Sequence, residues 1–168
     1  MNIKQKILEG KIFIYPTDTI YGIGCDATNK KAVQKIRNIK KRDNKPFSVI
    51  APSFEWIRKN CIVDIELEKY LPGTYTIILK KKDSNFLKWV SETDSLGIRI
   101  PDNDFILEIQ TAEVPFITTS VNLAGEPFAK SVKKIPKQIL NKVDVIVDVG
   151  KLSGNPSTLI IDGKEIRR

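Results

Sequence analysis

The sequence predicts an α/β fold: a single domain on a twisted, mixed β-sheet with flanking helices. Three observations point there. Short apolar, β-branched runs, most of them stopped by Pro or Gly, alternate with amphipathic stretches from one end of the chain to the other. No repeat period, low-complexity tract or linker interrupts that alternation. The chain has 168 residues, 41% of them hydrophobic, enough for one core and too few for two comfortable ones, so residues 1–168 are expected to form one domain.

Taken in order, KIFIYP (11–16) is an apolar and aromatic run closed by proline and reads as a strand. Asn29 caps the helix predicted over NKKAVQKIRNIKK, where Ala32, Val33, Ile36 and Ile39 share one face and the other face is basic. FSVIAP (47–52) reads as a buried strand. SFEWIRKN and DIELEKYL read as short helices, the second stopping at Pro72-Gly73. TYTIILKKK (74–82) and SLGIRIP (95–101) are strands, and a short helix is expected around 104–112. PFITTS (115–120) reads as a strand running into a polar loop, and VDVIVDVG (143–150) and STLIIDG (157–163) supply the last two strands.

Composition removes several chemistries. There is no histidine, so Ser-His-Asp and Cys-His catalysis are excluded and the commonest metal ligand is missing. Two cysteines, Cys25 and Cys61, cannot make a disulfide framework, and neither has a C-x-x-C neighbour; no structural metal site is expected. The first residues lack an apolar run of signal-peptide length, and no stretch approaches a membrane span, so a soluble cytoplasmic protein is the expectation, with no membrane partner. The net charge of +8 favours acidic partners, whether nucleotides or RNA. Lys30, Lys31, Lys35, Arg37, Lys40, Lys41, Arg42 and Lys45 face a single acid, Asp43, across 16 residues. That run could be a solvated helix face, a nucleic-acid patch or a grip on nucleotide phosphates.

Neither a P-loop nor a complete dinucleotide fingerprint is present, so any phosphate site is of a less familiar kind. PTDTIYGIGCDAT (16–28) packs Thr17, Asp18, Thr19, Gly22 and Gly24 behind a strand, a loop able to hold a small polar ligand or simply to connect two elements. Lys40, Lys41 and Arg42 end a helix, where cations also suit the macrodipole. In TTSVNLAGEP (118–127), Ser120 and Asn122 leave a strand end and could face one pocket. NPSTLIIDG (155–163) places Ser157 at the mouth of another strand. Arg99, flanked by Ile98 and Ile100, needs either an internal carboxylate or an anionic ligand, and the ligand is favoured.

Together and in this order, PTDTIYGIGCDAT, the K-x-R of Lys40 and Arg42 with Lys45-Pro46, LPGTYTIIL, GIRIPD, the S-x-N of Ser120 and Asn122, and PSTLIID resemble the YrdC-type threonylcarbamoyl-adenylate synthase family over nearly the whole chain. The resemblance implies a YrdC-like fold with a large, concave, positively charged cavity. It implies an enzyme, a nucleotidyltransferase that joins L-threonine, bicarbonate and ATP, with Mg2+, into L-threonylcarbamoyl-adenylate and pyrophosphate. A downstream threonylcarbamoyl transferase complex then modifies tRNA, and contact with tRNA or other double-stranded RNA is left open. By motif, Lys40, Arg42, Ser120 and Asn122 are the catalytic set, Lys45, Ser157 and Arg167 hold the nucleotide, and Thr17, Thr19 and Arg99 hold threonine, which leaves Lys30, Lys31, Lys35, Arg37 and Lys41 as a solvated helix face. No general base is named, with Asp18 a candidate. The family's P-G-P-x-T is here Pro72-Gly73-Thr74-Tyr75-Thr76. At this length there is no room for the C-terminal domain of longer members, so loops are expected to close the site or leave it open. Two alternatives stand beside this reading: an RNA-binding module without synthase activity, and a carbamoyl-adenylate-forming enzyme with a different acceptor.

Overall fold

The computed structural model describes residues 2–42 and 44–168; Asp43, the one acid of the basic run, lies outside the described residues. In chain order the elements are α1 (Ile3–Leu8), β1 (Phe13–Tyr15), β2 (Gly22–Gly24), α2 (Lys30–Lys40), β3 (Ser48–Ile50), α3 (Phe54–Asn60), β4 (Cys61–Ile62), β5 (Tyr75–Lys81), β6 (Ser95–Arg99), α4 (Asp104–Gln110), β7 (Phe116–Ser120), α5 (Lys137–Leu140), β8 (Val145–Ile146), β9 (Thr158–Ile161) and β10 (Lys164–Ile166). The strands form one sheet in the order β10-β9-β5-β6-β3-β7-β2-β1-β8, with β4 also on β5. It is mixed: β3/β6, β5/β9 and β1/β8 are parallel and the other pairs antiparallel.

Strand alternation assigns the two faces different tasks. Ile14, Ile23, Val49, Ile77, Ile98 and Ile117 point to one side and pack with Val33, Ile36 and Ile39 of α2 and Ile57 of α3. Helix α2 starts where Asn29 accepts a hydrogen bond from the Ala32 amide, as its cap position predicts. On the opposite side, Phe13, Tyr15, Ile50 and Phe116 pack against Ile7 of α1 and Ile106 and Ile109 of α4. Those helices cover only part of this face. The same face continues into Ser48, Thr76, Gly97, Arg99, Thr118 and Ser120 by two-residue steps, and there it is open. The sheet thus carries an apolar floor under two helices and a polar floor under a cavity.

Several elements depart from the sequence expectation. Residues 143–150 contribute only the two-residue β8, because their aspartates bind backbone: the Ile12 amide donates to Asp144 Oδ2 at 2.8 Å and the Gly150 amide to Asp148 Oδ1 at 2.9 Å. DIELEKYL forms a 3-10 turn at Leu67–Lys69, with no side chain capping its start and Pro72 close behind. The first residues form a helix, capped by the Asn2 side chain on the Gln5 amide, and β10 adds a hairpin strand after Gly163. Among the described residues, no helix is long and apolar enough to cross a membrane.

Candidate active site

The open half of the sheet floors a cavity of about 380 Å³. Thr17, Thr19, Ser48, Thr76, Ser120 and Ser157 supply hydroxyls to its wall, and Arg42, Arg99 and Arg168 supply cations. No carboxylate is found among the described lining residues.

The basic helix reaches this cavity through its last turn. Lys41 takes a left-handed conformation (φ 53°), and the Arg42 amide bonds back to the Arg37 carbonyl at 3.0 Å. That reversal directs Arg42 off the helix axis to the cavity wall. Its guanidinium donates to the Pro46 carbonyl at 2.5 Å and, at 3.4 Å, to Thr119 Oγ1. Lys40 turns the other way, inward, and is only 1% exposed. Its ammonium donates to the Ser120 carbonyl and, at 3.0 Å, to Asn122 Oδ1, which also accepts from Ser120 Oγ at 2.7 Å. The Ala124 amide in turn donates to the Lys40 carbonyl at 3.1 Å. The K-x-R and S-x-N stretches, 80 residues apart, are therefore one hydrogen-bonded unit. Burial, reinforced by Arg42, pushes the Lys40 pKa down to about 7.

The second group of residues lies across the floor. Thr17 Oγ1 donates to the Ile20 carbonyl at 2.7 Å and lies 2.9 Å from Thr19 Oγ1, and the Thr19 amide donates to Thr17 Oγ1 at 3.1 Å. The side chain of Arg99 bonds Asp18 Oδ1 at 2.7 Å and reaches Thr19 Oγ1 at 3.5 Å. The internal carboxylate weighed for Arg99 is therefore present, although Arg99 still faces the cavity. Asp18 is occupied on its other oxygen by the Asp102 amide at 2.9 Å, which ill suits it to act as a general base. Burial lowers the Arg99 pKa and Asp18 opposes that. The Nε atoms of Arg42 and Arg99 are both buried without a protein partner, donors held ready for something else.

The third group comes from the chain end. Ser157 Oγ lies 2.5 Å from Thr76 Oγ1 and accepts from Arg168 at 2.5 Å, while Arg168 Nε donates to the Ser157 carbonyl at 3.0 Å. Of the expected site residues, Thr17, Thr19, Arg42, Arg99, Ser120 and Ser157 line the cavity, with Lys40 and Asn122 bonded behind Ser120. Two residues are not brought there. Arg167 is exposed and off the wall; successive residues leaving β10 point opposite ways, and Arg168 is the one that Ser157 holds. Lys45 is exposed, its carbonyl taken by Arg37 at 2.8 Å. Sequence reasoning missed Ser48, Thr76, Thr118 and Arg168; two-residue alternation from Arg99 and Ser120 was the available signal for the face, though not for which strands adjoin. It also missed three aromatic lining residues, Tyr21, Phe47 and the exposed Phe128.

A family model for Sua5, YciO and YrdC proteins, described as "Telomere recombination", matches residues 5–167. The chain belongs to the Sua5/YciO/YrdC family. A Methanocaldococcus jannaschii relative, provisionally named threonylcarbamoyl-AMP synthase, is 43% identical over 164 residues, covering 94% of this chain and 77% of its own. A Vibrio campbellii threonylcarbamoyl-AMP synthase is 31% identical over 173 residues, covering 96% and 92%. Among solved structures, P. abyssi Sua5 complexed with L-threonine superposes with a TM-score of 0.81 at 29% identity, over 94% of this chain and 48% of that one. Full-length HypF in a phosphate- and nucleotide-bound form gives 0.82 at 27% identity, over 98% and 28%. This Sua5/YciO/YrdC chain thus spans about half the length of the Sua5 chain it matches.

Proposed function

We propose that this protein is a threonylcarbamoyl-AMP synthase, converting L-threonine, bicarbonate and ATP into threonylcarbamoyl-AMP and pyrophosphate. The observation that carries the reading is the meeting of three arginines and the Thr17–Thr19 hydroxyl pair in one cavity, with two guanidinium Nε donors unused. A synthase name on two relatives, a threonine complex of one structural neighbour and a nucleotide-bound form of another support it.

The threonine amine bonds the bicarbonate carbon, water leaves, and a carbamate oxygen displaces pyrophosphate from the α-phosphorus. Negative charge grows on phosphate oxygens, which is where fixed cations help most. Arg42, backed by Lys40 and Ser120, is assigned to the triphosphate, and Arg168 and Ser157 to the nucleotide. Arg99 with Thr17 and Thr19 is assigned to threonine. Holding three small reactants together supplies much of the remaining rate. No cluster of three potential metal-ligating acids, cysteines or histidines occurs among the described residues. Magnesium would therefore arrive on the ATP phosphates, held by substrate oxygens and neutralising their charge. The product would pass to a separate threonylcarbamoyl transferase acting on tRNA in the cytoplasm.

The test is pyrophosphate release from ATP, bicarbonate and magnesium with and without L-threonine, in the whole chain and in Arg42→Ala and Asn122→Ala. Threonine-dependent release that falls in both variants is expected. Release indifferent to threonine would move the assignment to a carbamoyl-adenylate former with another acceptor. No release, with RNA bound, would leave an RNA-binding module.

A further inference from the structure

We propose that Phe47 is a positioning residue for this reaction, its ring carrying the Arg42 guanidinium into the cavity while Arg37 fixes the arrangement from behind. The proposal rests on the synthase reading of the site. Arg42 follows the end of α2, and none of the described residues between it and β3 belongs to a helix or strand, so its placement is not inherited from one. An arginine side chain has a large rotamer entropy to lose before it stands still. Its protein hydrogen bonds are few: one good bond to Pro46, one long one to Thr119, and none at Nε.

The remaining restraint is aromatic. The Arg42 guanidinium carbon lies 4.9 Å from the Phe47 ring centroid, within the range where a ring face attracts a cation. Phe47 is itself buried, 2% exposed, with its amide on the Val90 carbonyl at 3.0 Å. Arg37 also lies over this ring, its guanidinium carbon 4.3 Å from the centroid. The sequence assigned Arg37 to a solvated face, and the structure corrects that. It is buried, donating to the carbonyls of Lys45 at 2.8 Å and of Trp89 and Val90 at 3.0 Å. These bonds tie the segment carrying Arg42 to the segment beneath the ring. The two guanidiniums carry like charge, and the attraction of each to the π-system of the ring it lies over offsets part of that cost. Leucine would fill the space but has no such face.

The experiment is a double-mutant cycle read by calorimetric ATP binding, combining Phe47→Leu with Arg42→Gln, which keeps a polar side chain but removes the guanidinium charge. Phe47→Leu should weaken ATP binding by about 2- to 30-fold when Arg42 is present and have no further effect in Arg42→Gln. Threonine affinity should stay unchanged, and Phe47→Tyr, which keeps the ring, should restore ATP binding. Equal losses in both Arg42 backgrounds, or a matching loss for threonine, would mean that Phe47 serves packing alone and would overturn the proposal. If circular dichroism shows the leucine variant unfolded, Phe47→Met takes its place with the same two outcomes. Absence of ATP binding by the unaltered protein would overturn the synthase reading, and this role with it.

Discussion

Replacing Lys40 by methionine should flatten the dependence of stability on pH between about 7 and 10.5. Lys40 is 1% exposed, and its pKa falls from 10.5 to about 7 because burial disfavours the ammonium and Arg42 adds to that. Across this window the unfolded chain keeps a proton that the folded chain has lost. Stability therefore rises with pH, by up to about 1.4 kcal/mol per pH unit, or about 4 to 5 kcal/mol in all. The sign is that of a buried cation: the cost is full below pH 7 and has gone above 10.5. Methionine removes the titration. It also strips the Ser120 carbonyl and Asn122 Oδ1 of a donor, at a pH-independent cost of about 1–3 kcal/mol. The slope, not the level, is thus diagnostic. Urea unfolding of both proteins at pH 7.5 and 9.5 should show the natural protein gaining about 2–3 kcal/mol relative to Lys40→Met. Parallel stabilities over that range would refute the argument that Lys40 is held uncharged by burial. Phosphates brought near Lys40 should restore its charge, so ATP binding at pH 8 should take up a proton, measurable by calorimetry in buffers of different ionisation enthalpy.

Three further perturbations follow from the same geometry. Arg99→Leu should destabilise by about 3–5 kcal/mol in urea, because Asp18, with a side chain only 10% exposed, loses its cation; adding Asp18→Asn should recover part of the loss, and no recovery would count against the ion pair. Gly154→Ala should cost about 1–3 kcal/mol and weaken threonine binding in calorimetry, since its Cβ would come within 2.5 Å of the Thr19 carbonyl oxygen and 2.6 Å of its Cα. Lys41→Gly should raise stability by up to about 1 kcal/mol in thermal unfolding by relieving the left-handed lysine, with pyrophosphate release unchanged because that side chain is exposed.

The parts of the fold that were legible are those where local pattern and tertiary burial agree. Helix α2, with its Asn29 cap and its stripe of Val33, Ile36 and Ile39, needed nothing beyond spacing, and β5 and β7 announced themselves by β-branched runs. The run at 143–150 has the same alternation yet pairs over two residues only, and Asp144 and Asp148, though exposed, accept backbone amides. Periodicity cannot distinguish an aspartate that faces water from one that receives an amide. The cavity was legible as a set of motifs but not as a surface. That Ser48, Thr76 and Thr118 share its floor depends on which strands are neighbours, and strand order is set by long-range pairing.

In the basic run, position on the helix decides which cations are buried. Charge suggested a solvated face for Arg37 and a pocket for Lys40, but helical spacing treats them alike. Arg37 follows Val33 by four residues and Lys40 follows Ile36 by four, so both continue the apolar stripe. Both are buried, whereas Lys30, Lys31, Lys35 and Lys41 off that stripe are exposed. A cation at an apolar position of an amphipathic helix has to find oxygen atoms from another segment or destabilise the fold. Arg37 finds three carbonyls and Lys40 finds the Ser120–Asn122 turn. Each thereby fixes a distant loop against the end of α2, and Arg42 stands between the two anchored segments. The two buried basic residues of this helix make the site by placing the half-buried Arg42 that follows it.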